Sequence, residues 1–534
     1  RPYCFSKQNS FYLHLNLYLI LLDGGLFMKN KVSSLVLALL LLCSCAHAGE
    51  NNDLRTLFLN NKANICGINL RTFNAQDTNG NEIIDENEIS GNFINAIDRL
   101  DEIKNLGINT LHVLPITPVG RLKALGTAGS VYAAENFWDI NPQLVDKTSS
   151  LTDIEQAKKF VEECHKRGIR VVIDLPSCGA YDLFLTHPEL FVKDDKQCSI
   201  VPTDWTDVRL LKTGNNKKLN QEVLEAHKKF VNLVLAIGAD GIRADVATIK
   251  PSAFWTEIIK YTRSKDPEFM FLAEASDSWR EPPSQYAEFT PYDKLLQAGF
   301  DGYYGSFFNL KEWNAEQFIE HVKFNLKLLE TYKAPKSVIM SFTTHDEVSP
   351  VVLHGENFSI MISWLEATLP FNPYCIDGFF TGDTYIYPWA NTKAQKSETD
   401  DDTYFVHRGK LDIFNFSRKP DGKNERILNS FKEALAFRNE NIDLITKGDF
   451  TELKTGNDKV FAYTRKFNKE QVIVVGNLDF KNSQNKITIK DKSINKKNVL
   501  EVITGNDDIK AGRKRLYTDL DAGEIKVLMV KEWK

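Results

Sequence analysis

Ile169-Arg-Val-Val-Ile-Asp174 is a nearly continuous apolar run that ends on a carboxylate, and Leu151 to Arg167 before it is a helix-length amphipathic segment. A buried strand fed by an amphipathic helix is the repeating piece of a parallel α/β fold. Working outward, Ile65 to Leu70 and Asn109 to Leu114 read as earlier strands, with a helical stretch from Phe93 to Leu106 between them. Gly241 to Asp245, Phe269 to Glu274, Phe300 to Tyr304, Val338 to Phe342 and Asn372 to Asp377 read as later strands. Eight strand candidates over about 310 residues suit a closed eight-fold barrel with insertions better than a doubly wound sheet. No glycine-rich fingerprint follows the first strand, which weakens the dinucleotide-binding alternative.

The expected architecture is therefore α/β: a (β/α)8 TIM barrel over residues 64–442, with a small inserted subdomain after the third strand at 175–221 and a C-terminal antiparallel β-sandwich at 443–534. The sandwich is read from Lys459 to Arg465, Gln471 to Asn477, Lys486 to Lys490 and Glu524 to Val530. These are alternating runs split by Asn, Asp, Gly and Lys turns, after a last helix at Arg426 to Arg438. A chain of 534 residues exceeds what one core supports, so a large domain with a smaller module is expected on size alone. Its 66 basic and 71 acidic side chains leave a formal charge of −5 and no polybasic field of the kind that binds nucleic acid.

From Met28 the text reads as a leader. Lys29 and Lys31 form a basic start, Val32 to Leu42 is apolar, and Ala46-His-Ala48 is a small-residue cleavage site. Residues 28–48 are thus expected to be a signal peptide, residues 1–27 an upstream extension, and the mature protein exported. An overlapping reading is a lipoprotein signal at Leu42-Cys-Ser-Cys45, with Cys45 acylated as the single route to a membrane; soluble and lipidated forms both stay open. Of eight cysteines, Cys66, Cys164, Cys178, Cys198 and Cys375 lie beyond the leader. Five scattered cysteines form neither a disulfide framework nor a paired zinc pattern. Buried free thiols are expected, with Cys178 to Cys198 as the one candidate bridge.

Several strands end on a charged residue: Asp174, Asp245 and Glu274, with His345-Asp346 just past the seventh. The C-terminal ends of barrel strands are where such barrels assemble active sites. One such carboxylate is usually a loop start or a cap; four on separate strands point to chemistry. Two carboxylates flanking a pocket suit glycoside hydrolysis, one protonating the leaving oxygen and the other attacking the anomeric carbon. Alternate strand positions face the same way, so Arg243 and Asp245 share a face, and the guanidinium can keep the carboxylate ionised.

Asp240-Gly-Ile-Arg-Ala-Asp245, Phe271-Leu-Ala-Glu274, Phe342-Thr-Thr-His345-Asp346 and Val171-Val-Ile-Asp174 together resemble the motifs of the alpha-amylase family, from about Asn64 to Trp533. The resemblance implies Asp245 as nucleophile, Glu274 as general acid/base and Asp346 as transition-state stabiliser. It also implies Arg243, His345 and Asp174 as substrate-site residues, and Tyr132, in Gly126-Thr-Ala-Gly-Ser-Val-Tyr132, as a platform for a sugar. The implied substrate is a starch-like polysaccharide or maltooligosaccharide. Two departures stand out: Gly179 occupies the position of the family's subsite His, with Cys178 before it, and Thr248-Ile249 replaces the usual Lys-His. Lys250-Pro251 and Phe254-Trp255 echo a spacing of maltosyltransferases in the same superfamily, which keeps a transferase in view. A non-catalytic carbohydrate-binding barrel is the alternative of a different class.

A separate constellation follows the first strand. Asp77, Asn79, Asn81, Asp85 and Glu88 carry oxygen side chains at positions one, three, five, nine and twelve, and Ile83 offers its carbonyl, the spacing of a loop wrapped around calcium. Glu82 stands where such loops carry Gly, and an Asn/Asp-rich turn without metal is the alternative. Calcium is the expected cofactor.

Overall fold

The computed structural model describes residues 53–530 apart from 77, 79–86, 125–128, 203–204, 283, 385–423, 495–498 and 504–509. The expected leader, Cys45 and the calcium-loop positions Asp77, Asn79, Asn81, Ile83 and Asp85 therefore lie outside the described residues.

A closed parallel barrel is built from β1 (Ile65–Ile68), β2 (Thr110–Val113), β3 (Arg170–Leu175), β4 (Gly241–Ala244), β5 (Met270–Ala273), β6 (Gly302–Tyr304), β7 (Ser337–Met340) and β8 (Asn372–Ile376), and β8 pairs back onto β1. The strands are apolar on both faces because both are covered. Ile242, Phe271, Val338 and Leu111 face the surrounding helices, while Val172, Met270, Leu272 and Ile339 fill the barrel. The floor of the barrel is closed by the short helix Leu54–Leu59, whose Leu54 and Phe58 pack against that inner set. Gly302 is required there, since a Cβ on it would lie 2.6 Å from the Phe58 ring and 2.4 Å from the carbonyl of Ser337.

Each strand begins and ends within two residues of its expected limits. β1 stops at Ile68 because the Asn69 side chain caps the turn Leu70–Phe73. The expected helix from Phe93 to Leu106 divides into a 3-10 turn, Asn95–Arg99, and a short helix, Leu100–Asn105, where the Asn92 side chain accepts from the amides of Ile94 and Asn95. The helix before β3 runs Asp153–Lys166, opened by a capping box of Thr152 and Glu155.

Between β3 and the helix Gln221–Ala236, the chain makes a short helix, Tyr181–Thr186, and two pairs of two-residue strands, Gly179–Ala180 with Val208–Arg209 and Gly214–Asn215 with Lys218–Leu219. In this segment, expected as a small inserted subdomain, apolar side chains including Ala180, Val208 and Leu210 join Ala133 and Ile249 in a cluster.

The helices Glu356–Thr368 and Glu425–Glu440 flank the last strand. Arg438 in the second of them is fully buried, and its guanidinium donates to the carbonyls of Glu366 (3.0 Å), Leu369 (2.9 Å), Phe371 (2.6 Å) and Asn61 (2.8 Å). It thereby satisfies the exposed end of one helix and the chain entering β8 and β1. A short helix, Ile442–Lys447, then leads into the antiparallel sandwich. Its five-stranded sheet includes Val460–Phe467, Glu470–Asn477 and Ile525–Val530, and its three-stranded sheet is centred on Arg515–Leu520. The layer between them holds Ile473, Val475, Ile489, Leu516 and Leu528. Cys66, Cys164, Cys178 and Cys375 are buried free thiols as expected; Cys198 is exposed and unbridged, so the candidate link to Cys178 does not form.

Candidate active site

Asp174 and Arg243 are register partners on the adjacent strands β3 and β4, which sets them side by side inside the barrel mouth. Arg243 is fully buried and serves three carboxylates. Its Nη1 donates to Asp174 Oδ1 (2.8 Å) and Oδ2 (2.9 Å) and to Asp245 Oδ1 (3.1 Å). Its Nη2 lies 2.9 Å from Glu274 Oε1, off the N–H axis, so that contact acts by charge. Nε donates to the Tyr304 hydroxyl at 3.0 Å. One guanidinium thus anchors the carboxylates that end three consecutive strands, and the anions raise its pKa against the opposing effect of burial.

Asp174 and Glu274 are tuned apart. Burial pushes Asp174 up, but Arg243 and the His112 hydrogen bond overcome it and hold the group at about 2. His112 Nε2 lies 3.2 Å from Asp174 Oδ2 and Nδ1 lies 2.9 Å from the Tyr374 hydroxyl; burial lowers its pKa and keeps the ring neutral. Glu274 moves the other way. Burial raises its pKa well above the ordinary value, Arg243 opposes this, and Asp245 and Asp346 add to it. Glu274 therefore favours its protonated form more than an ordinary glutamate does, in a site where Asp174 is held low, a separation that suits acid/base chemistry.

Glu274 Oε2 accepts the amide of Val246 at 2.7 Å. Val246 sits in the left-handed region at φ 34° and ψ 55°, a costly place for a β-branched residue, of order 1–3 kcal/mol. That backbone twist turns its N–H back toward the acid one strand away. Asp245 Oδ2 accepts two bonds from a residue that sequence reasoning missed: the Ser177 hydroxyl at 2.7 Å and its amide at 3.1 Å.

Tyr132 donates to Asp174 Oδ2 at 2.9 Å and lies 2.8 Å from Nε2 of His345, its ring stacked on the imidazole at 5.6 Å. With the phenol proton on Asp174, Nε2 of His345 is the donor. Nδ1 of His345 is buried with no partner among the described residues, which leaves it for a ligand. Nε2 also lies 3.4 Å from Asp346 Oδ2. The pocket these groups share is about 270 Å³, and Trp205, Trp279 and Phe308 line it together with Asp245, Glu274 and Asp346. Of the seven catalytic and substrate-site positions read from the sequence, Tyr132, Asp245, Glu274, His345 and Asp346 line this cavity, while Asp174 and Arg243 lie fully buried behind them. The aromatic walls, His112, Tyr304 and Ser177 did not announce themselves, although a His inside the apolar strand Thr110–Val113 was a signal available to be read.

The two departures have structural explanations. A Cβ on Gly179 would lie 2.8 Å from Cζ of Phe191 and 3.0 Å from Cδ2 of Leu183, so the position has no room for an imidazole. Thr248 and Ile249 are buried in the wall, Ile249 among Cys178, Ala180, Val208 and Leu210. The next residue, Lys250, is buried and donates to the Ser177 carbonyl at 2.5 Å. Of the calcium-loop residues, Glu88 is described. Its Oε1 accepts the amide (2.6 Å) and hydroxyl (2.8 Å) of Thr78, and the Gln76 amide donates to the Ile89 carbonyl at 2.8 Å, which closes the two ends of the loop.

No family model matches the chain. It is 23% identical to alpha-amylase 3 of Dictyoglomus thermophilum over 73% of its own length and 81% of that protein. It is 24% identical to the alpha-1,4-glucan:maltose-1-phosphate maltosyltransferase of Picrophilus torridus, over 81% of this chain and 67% of the other. Among solved structures, an alpha-amylase from Lactobacillus plantarum superposes with a TM-score of 0.64 at 21% identity, covering 88% of this chain and 99% of that one.

Proposed function

We propose that the chain, a (β/α)8 barrel similar to alpha-amylases and cyclomaltodextrinases, is an alpha-amylase-type enzyme that cleaves α-glucosidic bonds of maltooligosaccharides or starch-like glucans with retention, through a glycosyl-enzyme intermediate on Asp245. The observation that carries the reading is the pairing of Asp245 and Glu274 on one guanidinium, the first clamped by Arg243 and Ser177 and the second with its pKa raised by burial. Retaining chemistry needs two carboxyl groups about 5–5.5 Å apart, a spacing that a single bridging guanidinium suits.

Asp245 attacks the anomeric carbon from one face as the glycosidic C–O bond breaks, and the Glu274 proton passes to the departing oxygen. The glycosyl ester on Asp245 then meets a second hydroxyl, which Glu274, now ionised, deprotonates. The new C–O bond releases the Asp245 carboxylate with the original anomeric configuration. His345 and Asp346 hold the distorted ring, with Nδ1 of His345 as the atom that meets a sugar hydroxyl.

A second reading concerns the acceptor. Trp205, Trp279 and Phe308 give the pocket aromatic walls on which a sugar can stack in place of a loosely held water. Together with the maltosyltransferase relative, this supports transfer on short substrates alongside hydrolysis. Chromatography of a maltotetraose digest over time tests both readings. Products longer than the input establish transfer, exclusive shortening establishes hydrolysis, and an unchanged substrate refutes both in favour of a binding barrel. Proton NMR of the first product gives the anomer, and an inverted one removes Asp245 as nucleophile. Export by the 28–48 leader and calcium in the Asp77 to Glu88 loop belong to the same proposal; the pinned ends of that loop suit a wrapped ion.

A further inference from the structure

Lys250 is a buried lysine that the reaction just described does not use. It follows the turn Ala247–Ile249 and precedes the helix Ser252–Arg263, with 1% of its surface exposed. Taking an ammonium group out of water is expensive, and buried charges are ordinarily paired with a carboxylate. Lys250 instead reaches across 73 residues of sequence to the main chain after β3, donating to the carbonyl of Ser177. Burial lowers its pKa to about 8, while Cys178 and Asp245 act in the opposite direction. The Cys178 thiol, pushed up to about 11 by burial, and His227, pushed down to about 3, are both neutral at pH 7. The anion that answers the ammonium charge is then Asp245.

Ser177 is the other half of the connection. Its carbonyl is fixed by Lys250, and its amide and hydroxyl both point at Oδ2 of Asp245. Oδ1 of the same carboxylate is held by Arg243. The loop carrying Ser177 has no regular hydrogen-bond ladder of its own until Gly179 pairs with Arg209, so the lysine supplies the tie that sets its direction. Resting on the reading of Asp245 as nucleophile, we propose that Lys250 is a positioning residue: it fixes the Ser177 loop so that two donors orient and stabilise the attacking carboxylate.

The test uses the full chain with maltopentaose, comparing wild type, Ser177→Ala, Lys250→Met, Lys250→Gln and the Ser177→Ala/Lys250→Met double variant, each with a melting curve. Loss of hydrogen bonds to an ionised carboxylate predicts about a ten- to hundredfold fall in kcat for Ser177→Ala and for Lys250→Met, with KM little changed. Because the lysine acts through the serine, the double variant should be no slower than the slower single variant, and Lys250→Gln, which keeps a donor, should recover part of the loss. A role in folding alone would lower the melting temperature and yield without producing that pattern in kcat. Wild-type kcat in a folded Lys250→Met or Ser177→Ala, or losses that multiply in the double variant, overturns the proposal. If Lys250→Met does not fold, Ser177→Ala and Lys250→Gln decide it by the same criteria. A wild-type chain inert on maltopentaose overturns the functional reading first and the positioning role with it.

Discussion

Putting a histidine at position 179 should damage this protein. An ideal Cβ there lies 2.8 Å from Cζ and 3.0 Å from Cε1 of Phe191, and 3.0 Å from Cδ2 of Leu183. Neither neighbour can yield easily. Phe191 is buried, packs edge-on against Phe184 at 5.7 Å, and bridges to Leu211. Overpacking of this kind costs about 1–3 kcal/mol, so Gly179→Ala should already destabilise by that much. The imidazole of Gly179→His adds a buried polar ring without a prepared partner, worth a further ~1–3 kcal/mol. Thermal melting of the two variants beside wild type measures the effect, and a Phe191→Ala background should relieve part of it, since the two sites share one contact. Sugar release should not improve in either variant. A Gly179→His protein that melts with wild type and digests maltopentaose faster would show that the loop has room for the missing side chain and that the steric account is wrong.

Three further outcomes follow from the same geometry. Asp245→Asn should abolish turnover while leaving the melting temperature within a few degrees of wild type, measured by sugar release and calorimetry; residual turnover near the wild-type rate would move the nucleophile elsewhere. Glu274, raised in the folded state above its ordinary 4.5, contributes stability that is fully present below that value and is lost as pH rises through the folded pKa. Glu274→Gln should therefore gain stability relative to wild type as pH rises from 4.5, and should lose the basic limb of kcat/KM; parallel melting-versus-pH curves would refute the shift. Adding calcium should raise the melting temperature of the wild type and not of Asp77→Ala, because an ion bound only by the folded chain stabilises it, and identical curves in chelator and excess calcium would remove the ion.

What the sequence made legible were features carried by neighbours in the chain. Ile173-Asp174 and Ile242-Arg243 lie on strands recognisable from apolar runs, and parallel pairing then brings Asp174 opposite Arg243 without further information. Asp245 and Glu274 follow their strands directly, so placing the strand places the carboxylate. Ser177 and Lys250 were not legible, because their roles depend on contacts spanning 68 and 73 residues between irregular loops. Neither residue type is unusual for its position until the loop path is known. The same applies to the burial of Thr248-Ile249, since the left-handed Val246 redirects the chain immediately before them.

The clasp formed by Arg438 has a consequence for how the molecule comes into being. Its guanidinium ties together carbonyls at Asn61 and at Leu369 and Phe371, the places where the chain enters the first and last barrel strands, and Asn439 beside it reaches Asn64 at 3.3 Å. The seam of the cylinder is thus sealed by a residue made more than 60 positions after the final strand begins. A chain emerging in order from ribosome or translocon carries all eight staves before it carries the pin that locks them. A nascent chain cut short before residue 438 should remain protease-sensitive at this seam, and the barrel completes its closure as the start of the following module arrives.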